Sequence, residues 1–223
     1  MSEAVVADFA RARTFATTTI GEAWLAVARS ILEHGRPSHY DGLPIVEIAQ
    51  ATLDVAAPDP DDPLIARLAD PERLEWMRRN FVDPERVAAL GDARSYASRL
   101  HDYHETGRDQ LDWVVERLLL DPSTRSATIT TFEPLLDTSY IPCVSMLDFW
   151  IPDRSLELVV YAHSIDFGAK GYANLVQLAE LQQQVAARLG RTVGRLTFVV
   201  KSAHVYDTDQ PFMRRALAQA TPG

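Results

Sequence analysis

The chain contains a single cysteine, Cys143, among its 223 residues. One cysteine excludes an intramolecular disulfide and any zinc or iron–sulfur site that requires several cysteine ligands. His101 and His104 lack partner ligands, so we predict no metal site. Cys143 is therefore either a small buried apolar residue or a nucleophile, and its neighbours must decide between these two roles.

Long apolar runs are also absent. The longest, such as residues 156–162 and 196–200, stop well short of the roughly 20 apolar residues that a membrane-spanning helix needs. Residues 1–13 include Glu3 and Asp8 among alanines and lack a basic segment followed by an apolar stretch, which argues against a secretory signal. We therefore expect a cytoplasmic protein that does not bind a membrane.

Positive charge is scarce, since 22 Lys and Arg residues are outnumbered by 31 Asp and Glu residues and the formal net charge is −9. This balance argues against binding to nucleic acid, which requires a basic surface to displace counterions from phosphates. A small anionic ligand is still compatible with a few local arginines. With 47% hydrophobic residues the chain can bury a full core, and we predict one domain over residues 1–223.

Apolar residues at helical spacing, bounded by capping residues and by Pro or Gly, predict helices. The helices cover residues 20–32, 73–81, 86–99, 109–120 and 172–189. Alternating or β-branched stretches predict strands. The strands cover residues 45–55, 126–132, 144–151, 156–163 and 196–201. The order of these elements predicts an α+β fold in which a mixed β-sheet is covered by helices.

Polar side chains gather where the predicted strands begin or end. Cys143 follows a proline at the entry to one strand, the next strand ends at residues 163–166, and the last strand ends at residues 202–206. Asn174 lies near the start of the helix between those two strands. Taken singly, each of these residues has an ordinary structural explanation as a helix cap, a turn residue or a strand exit into solvent.

Taken in order, the motifs resemble the thymidylate synthase superfamily, and its short, archaeal-type branch fits best. The motifs are Asp109-Gln110, Asp121-Pro122-Ser123-Thr124-Arg125, Pro142-Cys143, Ser164 with Asp166, Ala173-Asn174 and Ala203-His204-Val205-Tyr206. The resemblance covers most of the chain, more densely in its second half. It implies a thymidylate synthase-like fold and one-carbon transfer from the co-substrate 5,10-methylenetetrahydrofolate to C5 of a pyrimidine nucleoside monophosphate.

The resemblance assigns the chemistry to three residues. Cys143 matches the thiol that adds to C6 of the pyrimidine and turns C5 into a carbon nucleophile. Tyr96 matches a tyrosine that helps to remove the proton from C5, and Asp166 matches the carboxylate that contacts the pterin of the folate and assists proton transfer. We expect Arg125 or a protonated His163 to make Cys143 more thiolate-like.

Binding roles follow from the same resemblance. Asn174 matches the amide that hydrogen-bonds the base edge, and His204 with Tyr206 matches the pair that binds the sugar 3′-hydroxyl. Ser164 and Arg125 match phosphate contacts. In this family the arginine comes from the neighbouring subunit, which implies a homodimer.

The chain departs from the family at positions that usually carry positive charge. His163 stands where an arginine contacts both the phosphate and the nucleophile, and Ser126 replaces a second arginine. The phosphate must then be bound more weakly or by other residues. Arg36, which we expect in the loop after the first helix, and Lys170 are the candidates.

The product and the base are less clearly indicated. The chain ends soon after Tyr206, without the long segment that closes the site of bacterial thymidylate synthases, and a more open site favours the addition of water over reduction by hydride. Asn174 mildly favours uracil. The missing arginines favour a specialised enzyme, and the superfamily includes CMP hydroxymethylases of nucleoside-antibiotic pathways. Ala173 leaves room for a ribose 2′-hydroxyl.

Our leading hypothesis is therefore C5 hydroxymethylation of a cytidine nucleoside monophosphate, CMP or dCMP, through a covalent adduct with Cys143. The first alternative is a thymidylate synthase that methylates dUMP and produces dihydrofolate. The second is a non-catalytic relative that binds nucleotides, which the substitutions at His163 and Ser126 favour.

Overall fold

The computed structural model describes residues 12–138 and 140–220. Glu3 and Asp8, on which the prediction about a secretory signal rests, lie outside these residues. Within the described ranges, none of the helices is both long enough and apolar enough to cross a membrane. The assignment of residues 1–223 to one domain stays a prediction.

Nine strands are present in the described residues. They are β1 (Arg13–Thr17), β2 (Arg36–Tyr40), β3 (Leu43–Val55), β4 (Arg86–Val87), β5 (Ala93–Arg94), β6 (Thr128–Thr130), β7 (Val144–Trp150), β8 (Ser155–Asp166) and β9 (Thr192–Tyr206). Seven of them form one mixed sheet in the order β1-β3-β9-β8-β7-β6, with β2 paired to β3. The β1–β3 and β8–β9 pairs are parallel and the other pairs in this sheet are antiparallel.

Seven α-helices accompany the strands in the described part of the chain. They are α1 (Ile20–His34), α2 (Pro63–Leu68), α3 (Pro71–Val82), α4 (Tyr96–His101), α5 (Gln110–Leu120), α6 (Gly171–Arg188) and α7 (Gln210–Ala220). Helix α1 packs on strands β3 and β9, and helix α6 packs on strands β8 and β9. The predicted α+β fold with a mixed sheet is confirmed.

The core lies between these helices and one face of the sheet. The even-numbered side chains of the central strands point into it, including Leu158, Val160, Phe198 and Val200, and each of these four is fully buried. Burying one side chain of this size contributes about 1.5–3 kcal/mol. The alternation of these strands therefore fixes which face of the sheet is covered.

Local hydrogen bonds set the ends of the helices. Thr19 and Glu22 form a capping box at the start of α1, in which each side chain accepts a hydrogen bond from the other residue's backbone N–H. The Asp109 carboxylate accepts hydrogen bonds from two backbone N–H groups of α5 at 2.8 and 2.9 Å. Such a cap contributes about 1 kcal/mol. The helices predicted after Thr19 and Asp109 are confirmed.

The helix predicted over residues 86–99 is wrong in its first two thirds. This segment contains the short antiparallel pair β4 and β5, joined by a turn in which Gly91 and Asp92 have φ angles of 64° and 60°. A helix cannot continue through two residues in the left-handed region. The helix α4 begins only after Ser95, whose hydroxyl accepts a hydrogen bond from the N–H of Ser98 at 3.1 Å.

At one end of the sheet, the face that buries the core becomes polar. The residues concerned are Ser164 and Asp166 of β8, Ser202, His204 and Tyr206 of β9, and Glu47 of β3. In the parallel register of β8 and β9, Ser164 lies opposite Ser202 and Asp166 lies opposite His204. The predicted gathering of polar groups at strand ends is thereby confirmed.

The opposite face of the sheet stays partly open. Three large apolar side chains on it remain more than one third exposed: Met146 at 37%, Trp150 at 39% and Tyr161 at 36%. Met146 and Tyr161 are cross-strand neighbours, and Tyr161 in turn lies opposite Val199. These four residues form what we call the open sheet face. An exposed apolar surface of this kind is typical of an interaction site.

Candidate active site

Cys143 lies directly before β7, as predicted, and its side chain is half-buried. The backbone N–H of His163 donates a hydrogen bond to the Cys143 carbonyl at 3.1 Å, which ties the nucleophile candidate to the neighbouring strand. Burial raises the pKa of the Cys143 thiol, and the charge of Lys170 partly offsets this effect. The thiol therefore needs a nearby cation to ionise readily.

Tyr96 is buried against the start of the same strand. Its hydroxyl oxygen accepts a hydrogen bond at 3.0 Å from the backbone N–H of Val144, the residue after Cys143. Its ring stacks on Phe81 of α3 with a centroid separation of 4.5 Å. Burial, followed by proximity to Cys143, raises the pKa of Tyr96 well above its ordinary value, so the phenol is neutral.

Asp166 ends β8 and turns back toward its own backbone. One carboxylate oxygen accepts hydrogen bonds from the N–H groups of Gly168 at 2.9 Å and Ala169 at 3.2 Å. Burial, reinforced by the nearby charge of Asp209, raises the pKa of Asp166 to about 6. A carboxyl group with this pKa can both accept and return a proton near neutral pH.

His204 occupies the centre of the polar end of the sheet. The side chain is only 2% exposed, and Nδ1 lies 3.3 Å from the hydroxyl oxygen of Ser164. Burial lowers the pKa of His204 to about 4, so the imidazole is neutral at pH 7. Nε2 is buried without a hydrogen-bond partner in the described residues. The ring of Tyr206 meets the imidazole ring edge-on, with a centroid separation of 5.2 Å.

Asn174 completes this group from the first turns of α6. Its Nδ2 donates a hydrogen bond to the Lys170 carbonyl at 3.0 Å, whereas Oδ1 is buried and has no hydrogen-bond partner among the described residues. Buried polar atoms in folded proteins are nearly always hydrogen-bonded. Asn174 Oδ1 and His204 Nε2 are therefore two atoms that a polar ligand would satisfy.

Similarity to known proteins agrees with this geometry. The thymidylate synthase family model matches residues 65–222. The chain is 32% identical over 195 residues to a "putative thymidylate synthase" of Methanosarcina barkeri, with 86% of this chain and 88% of the relative covered. A protein of the same name from Methanosarcina acetivorans is 32% identical over 200 residues, with 88% and 91% covered.

The chain belongs to the thymidylate synthase family. It is thus a one-carbon transferase that acts on a pyrimidine nucleotide, as the motifs predicted. A shorter match, 37% identical over 108 residues, joins 45% of this chain to 28% of a protein from Bacillus phage SP01 named deoxyuridylate hydroxymethyltransferase. The names of its relatives thus include both thymidylate synthase and hydroxymethyltransferase.

The surroundings of Arg125 and His163 bear on the roles near the phosphate or the nucleophile that the thymidylate synthase family suggested for them. Arg125 is exposed on the loop between α5 and β6 and has no ion-pair partner in the described ranges. His163 is half-buried on the opposite face of β8, where burial and the nearby charge of Lys201 lower its pKa. The expectation of a protonated His163 beside the thiol is therefore wrong, because this imidazole is neutral at pH 7.

Arg36 is the first residue of β2, so its predicted place in a loop is also wrong. The hairpin of β2 and β3 turns at Asp41 and Gly42, whose φ angles of 50° and 75° are typical of a tight turn. Arg36 Nη2 lies 3.4 Å from Glu47 Oε1, and the hydroxyl of Ser202 donates to Glu47 Oε2 at 2.7 Å. Arg36 thus reaches the polar end of the sheet through Glu47.

The sequence patterns did not single out two tyrosines near the nucleophile. Tyr140 lies three residues before Cys143, and burial together with the nearby thiol raises the pKa of its phenol. Tyr40 ends β2, and its ring centroid lies 5.4 Å from that of His204. The position of Tyr140, in the loop that enters the cysteine strand, is the one signal that would have drawn attention to it.

A cavity of about 540 Å³ adjoins the site on the side of Tyr140. Its walls include two ion pairs that fix the loop before Cys143. Arg99 Nη2 lies 2.7 Å from Asp137 Oδ1, and Arg94 Nη1 lies 2.9 Å from Glu133 Oε1. Arg99 is almost fully buried, so this loop is anchored by a charge pair that water barely reaches.

Proposed function

We propose that the protein transfers a hydroxymethyl group to C5 of a cytidine nucleoside monophosphate, CMP or dCMP. The observation that carries the proposal is the pair of buried, unsatisfied atoms Asn174 Oδ1 and His204 Nε2 at the end of the sheet where the half-buried Cys143 enters β7. A base and a sugar hydroxyl are suitable partners for these atoms. With the base and sugar bound in this way, the Cys143 thiol would attack C6.

The orientation of Asn174 favours cytosine. Because Nδ2 is engaged with the Lys170 carbonyl, Oδ1 is the amide atom left to pair with the base. The 4-amino group of cytosine is a donor, which suits this acceptor, whereas O4 of uracil is a second acceptor. Uracil offers its N3–H instead, so the test below includes both bases.

In the proposed reaction, Cys143 Sγ forms a bond to C6 and the electrons of the C5–C6 double bond move to C5. The co-substrate 5,10-methylenetetrahydrofolate supplies the carbon that C5 then acquires. Asp166, with its raised pKa, and Tyr96 assist removal of the proton from C5. Loss of this proton breaks the C–N bond to the folate, so tetrahydrofolate departs and leaves an exocyclic methylene at C5. Addition of water to the methylene carbon, with departure of the Cys143 thiolate, gives the hydroxymethyl product.

Sugar and phosphate contacts are proposed from the same residues. His204 and Tyr206 bind the sugar hydroxyl, and the neutral imidazole leaves Nε2 free to donate or accept according to its tautomer. Ser164 keeps its assignment to the phosphate by family resemblance, although its hydroxyl lies beside His204 in this structure. Arg36 supports the phosphate from β2. Ala173 is fully buried in the core, so it adds no support for a ribose over a deoxyribose.

We further propose a homodimer in which Arg125 of one protomer binds the phosphate held by its partner. Two features support this arrangement. Arg125 is exposed and unpaired within the described residues, and Met146, Trp150 and Tyr161 of the open sheet face present an apolar surface that a second copy would cover.

The test is mass spectrometry of CMP, dCMP, UMP and dUMP after incubation with the protein and 5,10-methylenetetrahydrofolate, with Cys143→Ser as the control. A gain of about 30 Da on a cytidylate supports hydroxymethylation, and a gain of about 14 Da on dUMP, with dihydrofolate formed, establishes the thymidylate synthase alternative. Binding of a nucleotide with no change in its mass would leave the non-catalytic alternative. The control must abolish any mass gain.

A further inference from the structure

The nucleophile candidate lacks the cation that the sequence led us to expect. Arg125 lies on an exposed loop, and the lowered pKa of His163 leaves its imidazole uncharged at pH 7. The charges of Lys170 and Asp166 shift the pKa of the Cys143 thiol. Four tyrosines lie close enough for the thiol to raise their own pKa values: Tyr40, Tyr96, Tyr140 and Tyr206. Lys170 alone in this set is a cation, since the tyrosines are neutral and Asp166 is acidic.

The backbone of Lys170 connects two other site residues. Its N–H donates a hydrogen bond to the Asp166 carbonyl at 3.0 Å. Its own carbonyl accepts hydrogen bonds from the backbone N–H of Asn174 at 2.9 Å and from Asn174 Nδ2 at 3.0 Å. The backbone of Lys170 is therefore held between Asp166 and Asn174.

The segment before Lys170 is held just as firmly. Residues 167–170 follow β8, and the carbonyl groups of the first two accept hydrogen bonds from Trp24 Nε1 at 3.0 Å and Arg73 Nη1 at 3.2 Å. The Lys170 ammonium lies 5.2 Å from the ring centroid of Trp76, within the range of a cation–π contact. Both backbone and side chain thus restrict where the charge can lie.

From this position the ammonium acts on three groups at once. Its charge lowers the pKa of Cys143 and of Asp166, and it lowers the pKa of His204. A cation that favours the thiolate, the carboxylate and the neutral imidazole together favours the protonation states that nucleophilic attack and proton removal require.

We propose that Lys170 is the positioning residue that activates Cys143, replacing the positive charge that is missing at His163. The proposal rests on the proposed function, in which Cys143 is the nucleophile. It assigns to Lys170 an electrostatic role at the thiol rather than a contact with the phosphate.

The experiment is the pH profile of Cys143 alkylation by iodoacetamide in the full chain. Cys143 is the sole cysteine, so alkylation reports on this thiol alone. Lys170→Gln should raise the midpoint of the profile by about 0.5–1 pH unit and slow alkylation at pH 7 about three- to ten-fold. Lys170→Arg should restore the wild-type midpoint, because it restores the charge.

The matched control is Lys201→Gln, since Lys170 and Lys201 are the two lysines of the chain. Lys201 lies on the opposite face of β9 beside His163 and should leave the midpoint unchanged. A second measurement needs no substitution: about 1 M salt should move the wild-type midpoint toward that of Lys170→Gln and leave that variant nearly unaffected. Equal shifts for both lysine variants, or none for Lys170→Gln, would overturn the proposal.

This test is independent of turnover. If Lys170→Gln shifts the profile while the wild-type protein changes the mass of no nucleotide, the proposed function fails and the electrostatic role of Lys170 stands. If the wild-type protein hydroxymethylates a cytidylate while the profile stays fixed, the role of Lys170 fails and the proposed function stands.

Discussion

Asp166 and His204 lie directly opposite each other on the parallel strands β8 and β9, and burial shifts their pKa values in opposite directions. The pKa of Asp166 rises to about 6 and that of His204 falls to about 4. Each shift penalises the charged form of the group. At pH 7 the imidazole of His204 is therefore neutral, whereas Asp166 is largely ionised but gains a proton more readily than an ordinary aspartate.

Replacing Asp166 with asparagine should stabilise the protein above pH 6. The raised pKa of Asp166 means that its contribution to stability is present below its ordinary value of 3.8 and lost as the pH rises through about 6. We expect Asp166→Asn to raise the free energy of unfolding by about 1–3 kcal/mol at pH 8 and by almost nothing at pH 4. Urea unfolding at both values measures this, and a pH-independent gain would contradict it. Turnover should fall.

The opposite pH dependence is expected for His204. Its lowered pKa means that the stability it contributes is present above pH 6.5 and lost as the pH falls through about 4. The difference in stability between wild type and His204→Gln should therefore shrink by about 1–3 kcal/mol between pH 7.5 and pH 4. Ser164→Ala keeps the imidazole and serves as the control, whose stability should run parallel to that of the wild type. A constant difference for His204→Gln would rule out this account.

Removing the hydroxyl of Tyr96 should affect both the fold and the reaction. In Tyr96→Phe the buried N–H of Val144 loses its acceptor, which costs about 1–3 kcal/mol of stability. Release of tritium from C5 of the nucleotide should fall far more than nucleotide affinity. Phe81→Leu removes the stacked ring but leaves the hydroxyl, so it should lose stability and retain tritium release. Wild-type tritium release by Tyr96→Phe would remove Tyr96 from the proton path.

Periodicity and capping signals were sufficient to predict most of the fold. The apolar alternation around Leu158 and Phe198 and the caps at Thr19 and Asp109 are properties of short stretches of sequence. The helix predicted over residues 86–99 was wrong because the left-handed turn at Gly91 outweighs the helical propensity of its neighbours.

The candidate site was predictable only where a family motif marks it. Cys143 and Asn174 were found in this way, and the structure brings them to the same end of the sheet as His204. The electrostatic neighbours of the thiol depend on tertiary contacts. The charge of Lys170, for example, comes from a helix start that sequence spacing does not relate to Cys143.

The buried pair of Arg99 and Asp137 should anchor the loop that precedes Cys143. Arg99→Met leaves Asp137 as an uncompensated buried carboxylate, which should cost about 3–5 kcal/mol. The double variant Arg99→Met with Asp137→Leu should recover much of this loss in a double-mutant cycle measured by urea unfolding. The exposed pair of Arg188 and Asp112 is the control, and Arg188→Met should cost less than about 1 kcal/mol. Additive losses at Arg99 and Asp137 would contradict the anchoring role.

The proposed dimer makes a prediction that only a shared active site can satisfy. If Arg125 acts on the partner's phosphate, then Arg125→Ala and Cys143→Ser protomers are each inactive for a different reason. Mixing them after partial unfolding and refolding should create heterodimers with one intact site, recovering up to about a quarter of the wild-type turnover, because half of the dimers are mixed and each has one good site.

A monomer-forming variant provides the control for this experiment. Tyr161→Glu places a charge in the centre of the open sheet face and should dissociate the dimer, as seen by sedimentation. When Tyr161→Glu is added to both partners, mixing should recover no activity. Complementation requires both an assembled dimer and a residue contributed by the second chain. Activity that returns in the absence of dimers would therefore show that Arg125 does not act across the interface. Stable dimers that stay inactive after mixing would show the same.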